Sequence, residues 1–467
     1  MHKMILLLIA GGILTSCMKN PLDGYMSQER AIISFRLAEG QSGETEIVNG
    51  TDSAAITVYA EDDLDLGAVS PLVTVSKGAT VLPARGVKVD FASKGNRYTY
   101  RVTSEAGIVK NWYVRILKRN ELATGPRLEL LQGNGRWDPR VTVYSDLDYN
   151  DYLTRYQHWN GGDGCYSVLL PDGRIIWSFQ DSFFGQVSTD RNRTNNVMRR
   201  NAAHLQLDTS LQSFFQLNPG SGNQSETWIK YGNAPEDQDW YWPGAGQVHN
   251  GKFQMLLSHV RKTGNGTWDF AHVSTDLAIF DLPSMQLSQL VKDKDLSSNY
   301  SAGSMKAPDG YTYMYSTENG YLTSFMYVAR AAGNDLNGAW EYYGENGWSA
   351  TPVKYNVCND ITQPNVFYKD GKYYLVSQQN IFGLDIYIQE ANSPVGPWTN
   401  KRTLYHIPDK YSGDFISYNA FVHHALSREG ELVISYNINP VDFASNFNKP
   451  GSADRYRPYF VRVFNWK

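Results

Sequence analysis

The sequence predicts an all-β protein: an N-terminal immunoglobulin-like β-sandwich followed by a five-bladed β-propeller. Three observations carry this expectation. Short runs rich in Val, Ile, Tyr, Phe and Trp are punctuated by Gly, Pro, Asn and Asp, the pattern of strands and tight turns. One motif, a strand, a turn ending in Gly and a second strand, recurs at Pro171-Asp172-Gly173, His249-Asn250-Gly251, Pro308-Asp309-Gly310, Lys369-Asp370-Gly371 and Arg428-Glu429-Gly430. Its glycines lie 78, 59, 61 and 59 residues apart, as a repeated four-stranded unit requires, and five turns imply five blades. The length of 467 residues also exceeds one ordinary domain.

Residues 1–17 read as a targeting segment. His2 and Lys3 open it, Met4 to Leu14 is apolar, and Leu14-Thr15-Ser16-Cys17 resembles a bacterial lipobox, which makes Cys17 the expected lipid-bearing residue. No later apolar run is long enough to span a bilayer. The expected membrane contact is therefore the lipid anchor only, at the outer membrane or cell surface, with a periplasm-facing position as the alternative and Met18 and Lys19 giving no inner-membrane retention signal. Residues 18–30 form a polar tether. Strand candidates at Ile32–Leu37, Ala55–Ala60, Leu72–Ser76, Val87–Phe91, Tyr98–Ser104 and Trp112–Leu117 make residues 31–120 a sandwich. That stretch is similar to the immunoglobulin-like modules of many Bacteroidota surface lipoproteins, which implies a spacer, with glycan binding as the alternative. Glu121 to Pro126 marks a boundary, and residues 127–467 form the propeller.

A net charge of −4 without a basic stripe excludes nucleic acid as a partner. The 12 Trp and 31 Tyr fit sheet packing, with some left for stacking on sugars. Beyond residue 17 only Cys165 and Cys358 remain, too few for a disulfide framework, and no Cys/His spacing fits zinc. Asp146, Asp148 and Asp151 lack the glycine of a calcium loop. No metal and no cofactor is expected, a structural calcium in the channel being left open.

The site argument starts from the first hairpin. If Leu170 pairs with Arg174, partner numbers sum to 344, and Asp163 then faces Asp181 with Cβ atoms about 5 Å apart. Like charges that close are costly unless a site uses them. Aligning the turns extends the pattern. Eight residues after the glycines lie Asp181, His259, Glu318, Gln379 and Ile438, the last flanked by Asn437 and Asn439. Ten before lie Asp163, Tyr241, Tyr300, Ile361 and Ala420, with Asp360 and Asn419 one position off. Polar groups at inner positions point to the mouth of a channel. The expected catalytic residues are Asp163, Asp181 and Glu318. The expected substrate-binding residues are Trp242, Tyr241, His259, Asp360, Gln379, Asn419 and Asn437.

Carboxylates in an aromatic mouth suit glycoside hydrolysis, in which one protonates the leaving oxygen and another attacks or activates water. Glu318 acting with one Asp favours inversion; the two aspartates acting together favour retention. Duller readings stand beside these. Asp163 sits among glycines that need a turn, Glu318 precedes a turn signal at Asn319-Gly320, and His259 suits a structural hydrogen bond. Arg191, Arg193, Arg199 and Arg200 read as solvated, or as a bias toward anionic glycans if they face the mouth.

The stretch GGDGCYSVLLPDGRIIWSFQDSFFG, residues 161–185, resembles the opening blade of five-bladed propeller proteins that include the endo-acting D-arabinanases of glycoside hydrolase family 183. The resemblance implies a furanoside hydrolase with Asp163 and Asp181 in its catalytic centre. Gln180 and Ser182 depart from that family's Phe-Gly-Asp-Thr-like strand, which bears on substrate more than on chemistry. A looser resemblance is to family 43 arabinanases and xylosidases, which carry their three carboxylates on successive blades. The expected protein is thus a surface lipoprotein hydrolase acting on a plant or microbial polysaccharide or oligosaccharide containing arabinofuranoside. The alternative is a surface glycan-binding lipoprotein without catalysis. A lyase or phosphodiesterase would need a His/Lys/Tyr or metal cluster that is not evident.

Overall fold

A computed structural model of the chain describes residues 26–467, apart from 42–44, 50–53, 62, 119–125, 208–210, 212, 221, 267, 321–322, 381 and 429. The targeting segment with Cys17, most of the tether and most of the boundary at 121–126 lie outside the described residues. Among the described residues no helix is long and apolar enough to cross a membrane.

The protein is nearly all β. Its N-terminal part pairs Ile32–Leu37 with Pro71–Val75 and sets that ribbon against a five-stranded sheet. The sheet runs in the order Glu46–Asn49, Ala54–Ala60, Val109–Lys118, Arg97–Thr103 and Thr80–Leu82. Phe35, Val58, Phe91, Tyr100 and Trp112 fill the space between the layers, where alternating side chains of each strand point inward. Two short strands were not expected, and Val87–Phe91 is no strand; only Val89 makes an isolated bridge, to Val69.

Among the described residues six antiparallel sheets follow: a three-stranded one of Gln157–Gly162, Ser182–Val187 and Arg193–Arg199, and five that pack in succession around a ring. The first comprises Tyr166–Leu169, Ile175–Phe179, Ala202–Gln206 and Phe215–Gln216; the second runs from Asp239–His249 to Gln286–Asp295. The third starts at Gly303–Lys306 and the fourth at Asn365–Lys369. The fifth joins Phe415–Val422, Glu431–Pro440 and Pro458–Phe464 to Thr142–Asp146 and Leu128–Leu130. One apolar cluster lies between each neighbouring pair. Leu170 and Ile176 meet Met255 and Leu257, Leu256 and Leu277 meet Met314, Tyr315 meets Leu375, and Val376 meets Ile434. The ring closes where Trp177 of the first sheet packs with Phe421 and Phe460 of the fifth. Closure buries the two sheet faces that an open stack would leave exposed. A buried pair, Arg462 Nε to Asp146 Oδ2 at 2.7 Å, ties the two chain segments of the fifth sheet together.

The turns set the register. Three residues separate Leu170 from Arg174, whose carbonyl accepts from the Leu170 amide at 2.7 Å, and three separate Ala307 from Tyr311. Only two, in left-handed conformation, separate His249 from Lys252 and Lys369 from Lys372. A shorter loop moves every partner by one residue and so exchanges the faces of the strand. In the second sheet a bulge between Pro243 and Gly246 restores the pairing, and Tyr241 faces His259. The inner pair of the fourth sheet has no such bulge, and Asn365 faces Val376.

The innermost strands wall a cavity of about 660 Å³ whose far end is lined by Glu46, Tyr59, Leu117 and Lys118 of the N-terminal sandwich. Thr57 Oγ1 donates to the buried Pro171 carbonyl, and Arg115 Nη1 donates to the Asp172 carbonyl at 3.1 Å. The sandwich thus docks on the turn end of the first hairpin, opposite Asp163.

Candidate active site

Partners in the first hairpin sum to 344 on both sides of the aspartates, from Gly161 opposite Phe183 to Leu169 opposite Ile175. Between them the ladder kinks. The Asp163 amide donates to the Asp181 carbonyl at 3.2 Å, while the Gln180 amide donates to the Asp163 carbonyl at 2.8 Å. Residues 180 and 181 therefore face Asp163 together, a local bulge that turns both carboxylates out of the sheet. Gly164 is left-handed there (φ 59°), and a Cβ on it would lie 2.4 Å from the Gln180 side chain.

The two carboxylates have different company. Asp163 Oδ2 accepts from the Tyr418 hydroxyl at 2.9 Å, and its Oδ1 is buried without a hydrogen-bond partner. Burial and the Asp181 charge push the Asp163 pKa up to about 7, against the Tyr418 and Tyr456 hydroxyls that hold it down. Asp181 Oδ1 accepts from the Trp242 indole at 3.1 Å, and its Oδ2 lies 3.3 Å from Arg200 Nη1. Burial raises the Asp181 pKa too, while Arg200 and Trp242 favour its ionised form. Two buried carboxylates this close favour holding one proton between them, and the Arg200 cation beside Asp181 favours Asp163 as its carrier. Arg200 is itself fixed, its guanidinium 4.0 Å from the Trp240 ring and its Nε donating to the Glu236 carbonyl at 2.9 Å.

Asn437 supports the pair from the fifth sheet, its Nδ2 donating to the Gly162 carbonyl at 3.0 Å. The other expected residues lie elsewhere. Tyr241 is fully buried, and its hydroxyl donates to Asp276 at 2.6 Å. His259 is buried as well, bonded to Asp239 at 2.8 Å and stacked on Tyr231. Both point into the core, because strand alternation turns out Trp242, one residue along. Glu318 is half-exposed at a strand end and paired with Lys354, so the solvated reading describes it. Asp360 pairs with Lys401 at 2.7 Å, and its amide donates to the Ser324 carbonyl of the third sheet. Gln379 is exposed beyond the end of Lys372–Gln378. Asn419 is buried in a left-handed bulge (φ 58°), and the register slip there sets Tyr418 opposite Asn437 instead.

Arg200, Tyr418 and Tyr456 were missed as site residues. The four arginines are not simply solvated: Arg193 is fully buried, with Nε donating to Asn160 at 2.8 Å, and Arg191 pairs with Asp454 at 2.9 Å. Asp146 caps the helix Leu147–Tyr152, while Asp148 and Asp151 pair with Arg127. Cys165 and Cys358 are free thiols. Among the described residues no His, Cys, Asp and Glu cluster could hold a metal ion.

The class defined by these features is an all-β, propeller-like protein with a facing aspartate pair in the first hairpin of its ring. The chain belongs to the family described as "Domain of unknown function (DUF5005)", matched over residues 146–466. Residues 32–116 match a second family, described as "SGBP, N-terminal". Among solved structures the chain is similar to a protein from Bacteroides ovatus ATCC 8483 described as a "putative hydrolase". The two are 32% identical, with 73% of this chain and 94% of that chain covered and a TM-score of 0.65. A remote likeness joins it to a family 43 enzyme from Xanthomonas citri, 13% identical over 67% of this chain and 92% of that chain, at a TM-score of 0.39. An exo-β-1,3-galactanase from Phanerochaete chrysosporium is 9% identical over 65% and 60%, at a TM-score of 0.38. No curated protein matches the chain.

Proposed function

We propose that this protein is a glycoside hydrolase in which Asp163 is the proton donor and Asp181 the partner carboxylate. The observation that carries the reading is the unequal company of two facing aspartates: burial raises both pKa values, Asp163 to about 7, and of the two only Asp181 has a cation, Arg200, against it. Glycosidic cleavage needs that division of labour. Asp163 gives its proton to the leaving oxygen; Asp181 attacks the anomeric carbon or draws a proton from water. Arg200 and Trp242 favour the charged form of Asp181 against its burial, and the Tyr418 hydroxyl holds the Asp163 carboxyl in one orientation.

The finer reading is a lipid-anchored surface enzyme acting on an arabinofuranoside-containing polysaccharide. It is supported by the 161–185 motif and by the lipobox-like Leu14-Thr15-Ser16-Cys17. The match of residues 32–116 to "SGBP, N-terminal" favours a second reading, a surface protein that binds glycan without cutting it.

Digestion of D- and L-arabinans, galactans and pectic side chains by the protein lacking residues 1–17 tests the two. Products from wild type, with at least a thousandfold loss in both Asp163→Asn and Asp181→Asn, are expected; no products, with glycan still bound by all three, would leave the binding protein. The anomer formed first, read by NMR, separates attack by Asp181 (retention) from attack by water (inversion).

A further inference from the structure

A series of aromatic rings links the partners of the two aspartates, and its three middle members take no part in the acid–base chemistry. From Tyr418, ring centroids step 6.4 Å to Phe382, 6.0 Å to Trp268, 6.3 Å to Phe270 and 5.0 Å to Trp242. The series begins on the hydroxyl bonded to Asp163 and ends on the indole bonded to Asp181. Its middle comes from two non-adjacent sheets. Trp268 lies between Lys252–Lys262 and Phe270–Asp281 of the second, and Phe382 between Lys372–Gln378 and Asp385–Ala391 of the fourth. Trp268 is 63% exposed and Phe382 38%. Large aromatic surface continuous with a polar site marks a place for a ligand.

Both loops are pre-shaped. The Thr263 amide donates to the Asp269 carbonyl at 2.8 Å, and the Asp269 carboxylate accepts from the Gly266 amide at 2.6 Å, which turns Trp268 outward. Phe382 is left-handed (φ 55°), a conformation that a bulky residue keeps only where its surroundings impose it. The Gln379 amide donates to the Asp385 carbonyl at 2.9 Å and Gln378 Nε2 to the Gly383 carbonyl at 2.7 Å, fixing that loop.

We propose that Trp268 and Phe382 form a stacking platform for sugar units beyond the cleaved bond. The ring faces take the C–H face of a sugar, while the polar groups below take its hydroxyls; Asp163 Oδ1 is buried without a partner and is one such polar group. The location of the cleaved bond rests on the hydrolase reading, but the stacking does not. Because stacking is indifferent to most hydroxyl patterns, the platform adds affinity with chain length and leaves the chemical step alone.

Calorimetry on the Asp163→Asn protein, with arabino-, galacto- and xylo-oligosaccharides from disaccharide to octasaccharide, measures binding without turnover. Adding Trp268→Ala or Phe382→Ala should weaken the octasaccharide about tenfold and leave the disaccharide unchanged. In the otherwise wild-type enzyme each should raise KM for long substrates at constant kcat. Equal loss at every length, no loss, or no binding of any of these sugars overturns the platform. Cleavage by wild type without a length-dependent loss would remove the platform and keep the hydrolase; a length-dependent loss in a protein that cuts nothing would do the reverse.

Discussion

The first and fourth ring sheets start from the same materials. Each has a turn ending in Gly, an apolar second strand and a carboxylate ahead of its first strand, Asp163 in one and Asp360 in the other. The first turn has three residues and the fourth has two. Asp163 faces Asp181 at the mouth, whereas Asp360 is left-handed and paired with Lys401. Turn length sets which residues face one another in each hairpin, but Asp360 is placed by the third sheet, because Cys358–Asn359 just ahead of it pairs with Met326 and Phe325. In the second sheet the turn is also short, but a bulge restores the pairing.

The largest expected effect comes from giving the first hairpin the turn length of the fourth. Deleting Asp172 should slip Asp163 to the other face and abolish turnover of any glycan the wild type cleaves. Turnover retained in a protein with native near-ultraviolet circular dichroism would mean that a bulge absorbs the slip, as in the second sheet.

A smaller effect follows from the unequal settings of the two aspartates. Activity should fall as pH rises through about 7, where Asp163 loses its proton. Tyr418→Phe removes a donor that favours the charged form, so it should move this limb to higher pH. Stability follows the same sign. The folded pKa lies above the ordinary value of about 3.9, so the favourable contribution is full below pH 4 and is lost as pH rises through 7. Thermal melts of Asp163→Asn should therefore gain on wild type at pH 8 relative to pH 4.

The smallest effects belong to the carboxylates that stayed outside. Glu318→Gln and Asp360→Asn should keep rates within about twofold and cost under about 1 kcal/mol, as exposed ion pairs do. A tenfold rate loss in either would return that residue to the site.

The first hairpin was legible because turn, strand and register are local, and Asp163, Asp181 and Trp242 come from short stretches that the glycine alignment reaches. That alignment paired Tyr241 with His259 as observed, but pairing does not say which face is buried, and both went into the core. Tyr418 was hidden by the slip in the fifth sheet, one position from the Asn419 that the alignment offered. Tyr456 and Arg200 come from loops, where no period operates; Arg200 was noticed without a reason to put it beside Asp181. Trp268, in Gly264-Asn265-Gly266-Thr267-Trp268, carried the weak signal of an aromatic in a glycine-rich loop.

The fifth sheet holds strands from both ends of the ring, with Pro458–Phe464 lying between Glu431–Pro440 and Thr142–Asp146. The other four are built from contiguous chain; this one needs distant segments to meet. Tyr456, just ahead of Pro458–Phe464, reaches Asp163, and Arg462 reaches Asp146, only through that meeting. Opening the ring at this seam would therefore untune the acid without disturbing a single residue of the first hairpin.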